Sequence, residues 1–181
     1  MEKYNKNKEI ELTKNVSFVY GANGKPFIDG VLDLLDKHGE GMVLKKTHNE
    51  IFVKMEAGET ILAIDGMKVV GHQTFHVWPD RLCIEPRGGV VHKDYRSGGL
   101  GTKMRKEILS IITSNYPEHT IVAVASIHSQ DIWNKFGFTD AQEGDVLPDL
   151  LLDCSSCPLQ SEALSKGDSC CHKMLVYRKE K

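Results

Sequence analysis

Apolar positions change their period several times along the chain, and each change marks an element. In NVSFVY, residues 15–20, valines and aromatics suggest a short strand, and GANGK after it supplies turn formers. Pro26 suits a first helical position, Phe27, Val31, Leu34 and Leu35 recur at helical spacing, and Gly39 stops the pattern. Thr47 with Glu50 three residues on is a capping-box signature for a second helix through Ile51, Phe52 and Met55, closed by Gly58. Residues 60–78 read as two strands turning at Asp65-Gly66. LCIEPRGGVVH, 82–92, is the next strand; Pro86 and Gly88-Gly89 interrupt it and predict a bulge or splayed section. From about Gly99 a third helix places Leu100, Met104, Ile108, Ile111 and Ile112 on one face until Tyr116-Pro117 ends it. TIVAVAS, 120–126, is apolar almost throughout, as a strand covered on both faces is. A short helix over Gln130–Phe136 ends at Gly137, and HKMLVYR forms a last strand. This order predicts a mixed α/β sheet covered by helices.

Composition narrows the picture. A chain of 181 residues fits one domain, 1–181, and is long enough to bury a core. With 23 basic and 25 acidic residues the net charge is 23 − 25 = −2, which provides no pull toward nucleic acid or anionic lipid. The charged N-terminus lacks the apolar core of a signal peptide, and no apolar run reaches the length of a membrane span, so a soluble cytoplasmic protein is expected. Five cysteines are an odd number, and four of them cluster late; Cys83 stands apart and reads as a small buried hydrophobe.

HKDYRSGGLGTKM, 92–104, puts Gly98, Gly99 and Gly101 between an apolar run and a helix. Glycine costs about 0.5–1 kcal/mol against alanine in regular structure, so three together imply a tight turn or a close neighbour. A strand, loop and helix in this order offer unpaired backbone amides at a positive helix end, where bare glycines let a phosphate approach. Packing in a glycine-rich turn is the alternative. It is not a Walker A loop, because Lys103 follows Gly101-Thr102, nor a dinucleotide fingerprint, because the third glycine spacing is missing.

Arg96-Ser97-Gly98-Gly99-Leu100-Gly101 resembles Arg/Gln-x-x-Gly-x-Gly/Ala, the pyrophosphate loop of the GNAT N-acetyltransferase superfamily. VVHKDY before it and WNKFGF at 133–138 are similar to that family's approach to the loop and its short helix with a Gly-Phe ending. The resemblance runs from about residue 15 to 138. It implies a GNAT-like mixed, mostly antiparallel central sheet, splayed into a V and flanked by helices. It further implies acetyl-coenzyme A held by its pyrophosphate on Ser97, Gly98, Gly99, Leu100, Gly101 and Thr102 beside Arg96. The pantetheine arm would pair with Gly89, Val90 and Val91, and Trp133 would pack near the cofactor. The implied activity is acetyl transfer to a primary amine, on a small molecule or a protein, by direct attack in a ternary complex. Relatives often dimerise, which leaves a homodimer open.

Such transfer needs a neutral amine, although an alkyl ammonium with a pKa of about 10 is mostly charged at neutral pH. Glu85 stands where several family members place a base, and the Val91 N–H is the oxyanion donor the resemblance implies. Glu85 could equally be structural. Trp133 occupies a position where many relatives have a tyrosine acid; indole cannot protonate a thiolate, which leaves Ser126, His128, Tyr95 or water. His72, Thr74 and His76 share a strand face at period two, as substrate-facing groups or as ordinary strand residues. Residues 139–172 are longer than an ordinary connection. In them Cys154-x-x-Cys157 and Cys170-Cys171 could hold structural zinc, form a disulfide or redox pair, or remain free thiols. The second reading of the whole chain is therefore a non-catalytic coenzyme A-binding or metal- or redox-sensing module.

Overall fold

A computed structural model describes residues 15–39, 45–79, 82–126, 129–142, 145 and 172–178. Strand β1 (Val16–Tyr20) leads through a 3-10 turn, Gly21–Phe27, into α1 (Ile28–His38), followed by α2 (His48–Glu56). Strands β2 (Thr60–Asp65), β3 (Lys68–Trp78) and β4 (Cys83–Val91) come next, then α3 (Leu100–Asn115). Strand β5 (Thr120–Ser126), the short α4 (Gln130–Asn134), β6 (Phe138–Asp140) and β7 (His172–Tyr177) complete the chain. The sheet order is β1-β2-β3-β4-β5-β7-β6. Neighbours run antiparallel at β1–β2, β2–β3, β5–β7 and β6–β7, and parallel at β4–β5. The expected mixed, mostly antiparallel sheet is therefore present. The β4–β5 ladder consists of two rungs, Cys83–Thr120 and Ile84–Ile121.

The chain divides into two compact units: Met1–Phe75 with Gly88–Asn115, and His76–Arg87 with Tyr116–Lys181. In the first, α1 and α2 bury Ile28, Val31, Leu34, Ile51 and Met55 in one cluster with Leu62, Val69 and Val90 from the strands. Helix α3 buries Leu100, Met104, Ile108 and Ile112, the stripe its 3.6-residue period predicts. In the second unit Cys83, Val122 and Val176 form a smaller cluster with Trp78, Val124 and Met174. At its aromatic end Trp133 packs on Phe138 and Phe138 on Tyr177 as tilted pairs, with ring centroids 5.0 and 5.4 Å apart.

Local signals held where their chemistry is short-range. Thr47 accepts from the Glu50 N–H at 3.2 Å while the Glu50 carboxylate accepts from the Thr47 N–H at 2.7 Å, the reciprocal box the sequence predicts. Pro26 instead lies inside the 3-10 turn, with α1 starting at Ile28, and Gly39 caps α1 in right-handed geometry, φ −73°. Strand β6 was not expected: three residues carry too little periodicity to announce a strand, and pairing of Phe138–Asp140 with β7 makes it one. Among the described residues, no helix is long and apolar enough to cross a membrane.

Candidate active site

The glycine loop opens α3 as a bare helix end. Lys93–Tyr95 make a 3-10 turn started by His92, whose Nδ1 accepts from the Asp94 N–H at 3.3 Å. Ser97 and Gly99 then take positive φ, 68° and 77°. Only glycine adopts such values without a Cβ penalty. A side chain on Gly99 would meet nothing within 4 Å, so the glycine there serves the backbone turn and leaves open space above it. The first helical bond runs from the Lys103 N–H to the Gly99 carbonyl at 3.0 Å, leaving the amides of Leu100, Gly101 and Thr102 without an intrahelical acceptor. That end carries the positive pole of a sixteen-residue helix.

Arg96 braces this loop. Its Nε donates to the Val91 carbonyl at 3.0 Å and a terminal nitrogen donates to the His38 carbonyl, the last of α1, at 2.9 Å. A guanidinium on a helix C-terminus is favourable, and both bonds tie the loop to its surroundings. Tyr95, buried, donates to Asp65 Oδ2 at 2.6 Å, and burial followed by that bond pushes its phenol up to about 12. Its proton is thus committed to a carboxylate, which argues against Tyr95 as an acid for a leaving thiolate. His92 stacks on His38 with centroids 4.1 Å apart, and burial lowers its pKa.

Gly89, Val90 and Val91 lie in the last part of β4. The His92 N–H bonds the Val70 carbonyl at 2.9 Å, so the preceding N–H, that of Val91, points the opposite way along the alternating strand. Gly88 takes φ +63°, and its carbonyl is 3.1 Å from His72 Nδ1; the register irregularity that is present lies in the β2–β3 ladder, between Ala63 and Ile64. His72 is 4% exposed, and burial lowers its pKa from 6.5 to about 4. His72 Nε2 and Thr60 Oγ1 are buried without a partner among the described residues. Leaving such a group unsatisfied costs about 1–3 kcal/mol each.

In the second unit Glu85, 6% exposed, accepts from Arg87 Nε at 3.0 Å and from a terminal nitrogen of the same guanidinium. Two residues apart on one strand, they share a face. Sequence reasoning passed over Arg87; the period-two spacing from Glu85 was the available signal. Burial, then the charge of Glu85, raises the neighbouring Cys83 thiol to about 11, which fits an inert buried cysteine. Trp133 is 6% exposed against Phe138. Cys154, Cys157, Cys170, Cys171 and His128 lie outside the described residues; among the described ones no group of His, Cys, Asp or Glu could hold a metal ion.

No family model matches the sequence, and no curated protein does. Solved structures match the fold. N-acetylglutamate synthase from Neisseria gonorrhoeae, complexed with coenzyme A and N-acetyl-glutamate, is 17% identical with TM-score 0.63, covering 92% of this chain and 35% of that one. The chain thus spans about a third of that synthase's length. Rv2747 from Mycobacterium tuberculosis, in complex with coenzyme A, is 15% identical with TM-score 0.65, covering 89% of this chain and 98% of that one. An acetyltransferase of the GNAT family from Staphylococcus aureus Mu50 is 15% identical with TM-score 0.61, covering 91% and 99%. This chain has the fold of the GNAT acetyltransferases.

Proposed function

We propose that the chain is an acetyl-coenzyme A-dependent N-acetyltransferase that passes an acetyl group to a primary amine by direct attack in a ternary complex. The observation that carries this reading is the start of α3, where Ser97 and Gly99 turn at positive φ and Leu100, Gly101 and Thr102 present amides without helical acceptors. Those amides suit a pyrophosphate, with Arg96 holding the loop in place and the Gly89–Val91 backbone receiving the pantetheine arm. Acetyl-coenzyme A supplies the acyl group as a thioester.

The Val91 N–H donates to the carbonyl oxygen as it gains charge on attack. Glu85 takes the proton lost by the amine, directly or through water, and Arg87 orients its carboxylate. Trp133 packs the end of the site rather than supplying a proton. Water protonates the departing thiolate. A non-catalytic coenzyme A-binding module is the second reading, favoured by Tyr95 and Trp133 both being engaged elsewhere.

Isothermal titration with coenzyme A tests the first step. Wild type binds, and Gly99→Glu, which places a carboxylate in the open space beside the amides, weakens affinity about 100-fold while circular dichroism stays native. Binding that survives that change unaltered removes the proposed pyrophosphate site. Acetylation across an amine panel then separates the two readings, because the binding module yields none.

A further inference from the structure

Helix α3 is charged against its own dipole. Its first turn holds no acidic residue and its last turn no basic one, while Lys103, Arg105 and Lys106 stand in its first half. A helix favours anions at its start and cations at its end. Lys103 and Lys106 are exposed, where water screens them. Arg105 is half-buried, and burial, which disfavours a bare charge, lowers its pKa. An arginine nevertheless stays protonated, so the cation persists against a positive helix end.

The side chain of Arg105 runs back toward the start of the helix, as long helical side chains do. A Cβ built on Gly101 would meet a terminal nitrogen of its guanidinium at 3.3 Å and Val91 Cγ2 at 3.6 Å. A Cβ sits about 2.5 Å from its own amide nitrogen, which puts the guanidinium within about 6 Å of the Gly101 N–H. One phosphate spans that gap and accepts from both. Gly101 has no positive φ, so no turn requires it, and alanine is the better helix former. What the bare Cα provides is room for the guanidinium against the first turn. Arg96, the cation expected beside the pyrophosphate, is instead bonded to the Val91 and His38 carbonyls.

We propose that Arg105 supplies the side-chain cation of this site, gripping a non-bridging oxygen of the pyrophosphate from the flank of the Leu100, Gly101 and Thr102 amides. This rests on the coenzyme A reading above and names the residue that reads the ligand's charge. All of these groups belong to the first unit. A bound anion satisfies the amides and offsets the reversed charge of the helix together. The 3′-phosphate of the same cofactor has the same chemistry, and the test separates the two.

Isothermal titration compares coenzyme A with dephospho-coenzyme A, which lacks only the 3′-phosphate, in wild type, Arg105→Gln and Arg105→Lys. The glutamine variant should weaken both ligands equally, about tenfold, and the lysine variant should recover most of that loss. Affinity within twofold of wild type in Arg105→Gln overturns the proposal. A loss confined to coenzyme A assigns Arg105 to the 3′-phosphate and overturns it too, as does a lysine variant no better than glutamine, which makes the role one of packing. A measurement on wild type covers a glutamine variant that does not fold. Inorganic pyrophosphate is added to ¹⁵N-arginine-labelled protein, with Arg105→Lys fixing the assignment. A shift of the Arg105 side-chain resonance supports the site, and a resonance that neither pyrophosphate nor coenzyme A moves overturns it. Wild type that binds no coenzyme A sinks the transferase reading separately, since the pyrophosphate titration is read without it.

Discussion

Strand β4 satisfies its polar groups in two different ways on either side of the Arg87–Gly88 bond. In Cys83–Arg87, a buried carboxylate finds its partner two residues along the same strand, in Glu85 and Arg87. In Gly88–Val91, the Gly88 carbonyl is taken by His72, sixteen residues away, and the Val91 carbonyl by Arg96. The first arrangement needs only the pleat of a strand. The second needs a left-handed glycine, a neighbouring strand and a loop placed correctly together. Among the described residues it also leaves His72 Nε2 and Thr60 Oγ1 without a partner, where the first half holds an ion pair.

The largest expected effect falls on the locally closed half. Glu85→Gln should lower kcat by about 10²–10⁴-fold if the carboxylate takes the amine proton. The acceptor KM should stay close to its wild-type value, because proton transfer and not binding is lost. A kcat within threefold of wild type would make the Glu85–Arg87 pair purely structural, and the contrast between the halves would then lose its catalytic meaning.

The next effect reads His72 through stability. Its pKa falls from 6.5 in the unfolded chain to about 4 in the fold, so between those values the unfolded state binds more protons. The stabilisation is whole above 6.5 and is lost as pH falls toward about 4. The loss amounts to about 3 kcal/mol at the low end. Urea melts from pH 7 down to pH 4 should show that decline in wild type, and His72→Asn should flatten its share of it. An unchanged slope in the variant would place the acid sensitivity on other groups.

The smallest effect concerns Gly88. A Cβ on Gly88 meets Thr74 Oγ1 at 3.5 Å, an ordinary contact, so alanine pays only for its left-handed backbone. Gly88→Ala should therefore cost about 1–2 kcal/mol in chemical denaturation. A cost near zero would mean that β4 relaxes there without strain. A larger one would mean that the His72–Gly88 bond fails with the turn.

Several features were legible because their causes are short-range. The capping box at Thr47 and Glu50, the α3 stripe through Met104, Ile108 and Ile112, and the turn at Gly98-Gly99 each depend on residues within a few positions of one another. The glycine loop before α3 was likewise readable, because strand, glycines and amphipathic helix follow in order. The partners of those residues were not readable. Nothing near Tyr95 in sequence announces Asp65, thirty residues back, and nothing near Arg96 announces the His38 carbonyl. The same holds for His72, whose period-two spacing with Thr74 and His76 fits a half-exposed strand as well as a buried one.

By itself the sequence determined the order of strands and helices apart from β6, the α3 stripe through Met104, Ile108 and Ile112 and a loop of bare amides at the head of α3, because hydrophobic period and turn chemistry act over a few residues. Only the tertiary structure decided which polar groups are spent and which remain. Tyr95 and Arg96 are consumed by groups far along the chain, and His72 is left with one nitrogen bonded and one open, because burial and long-range pairing are properties of the assembled sheet and not of any stretch of it.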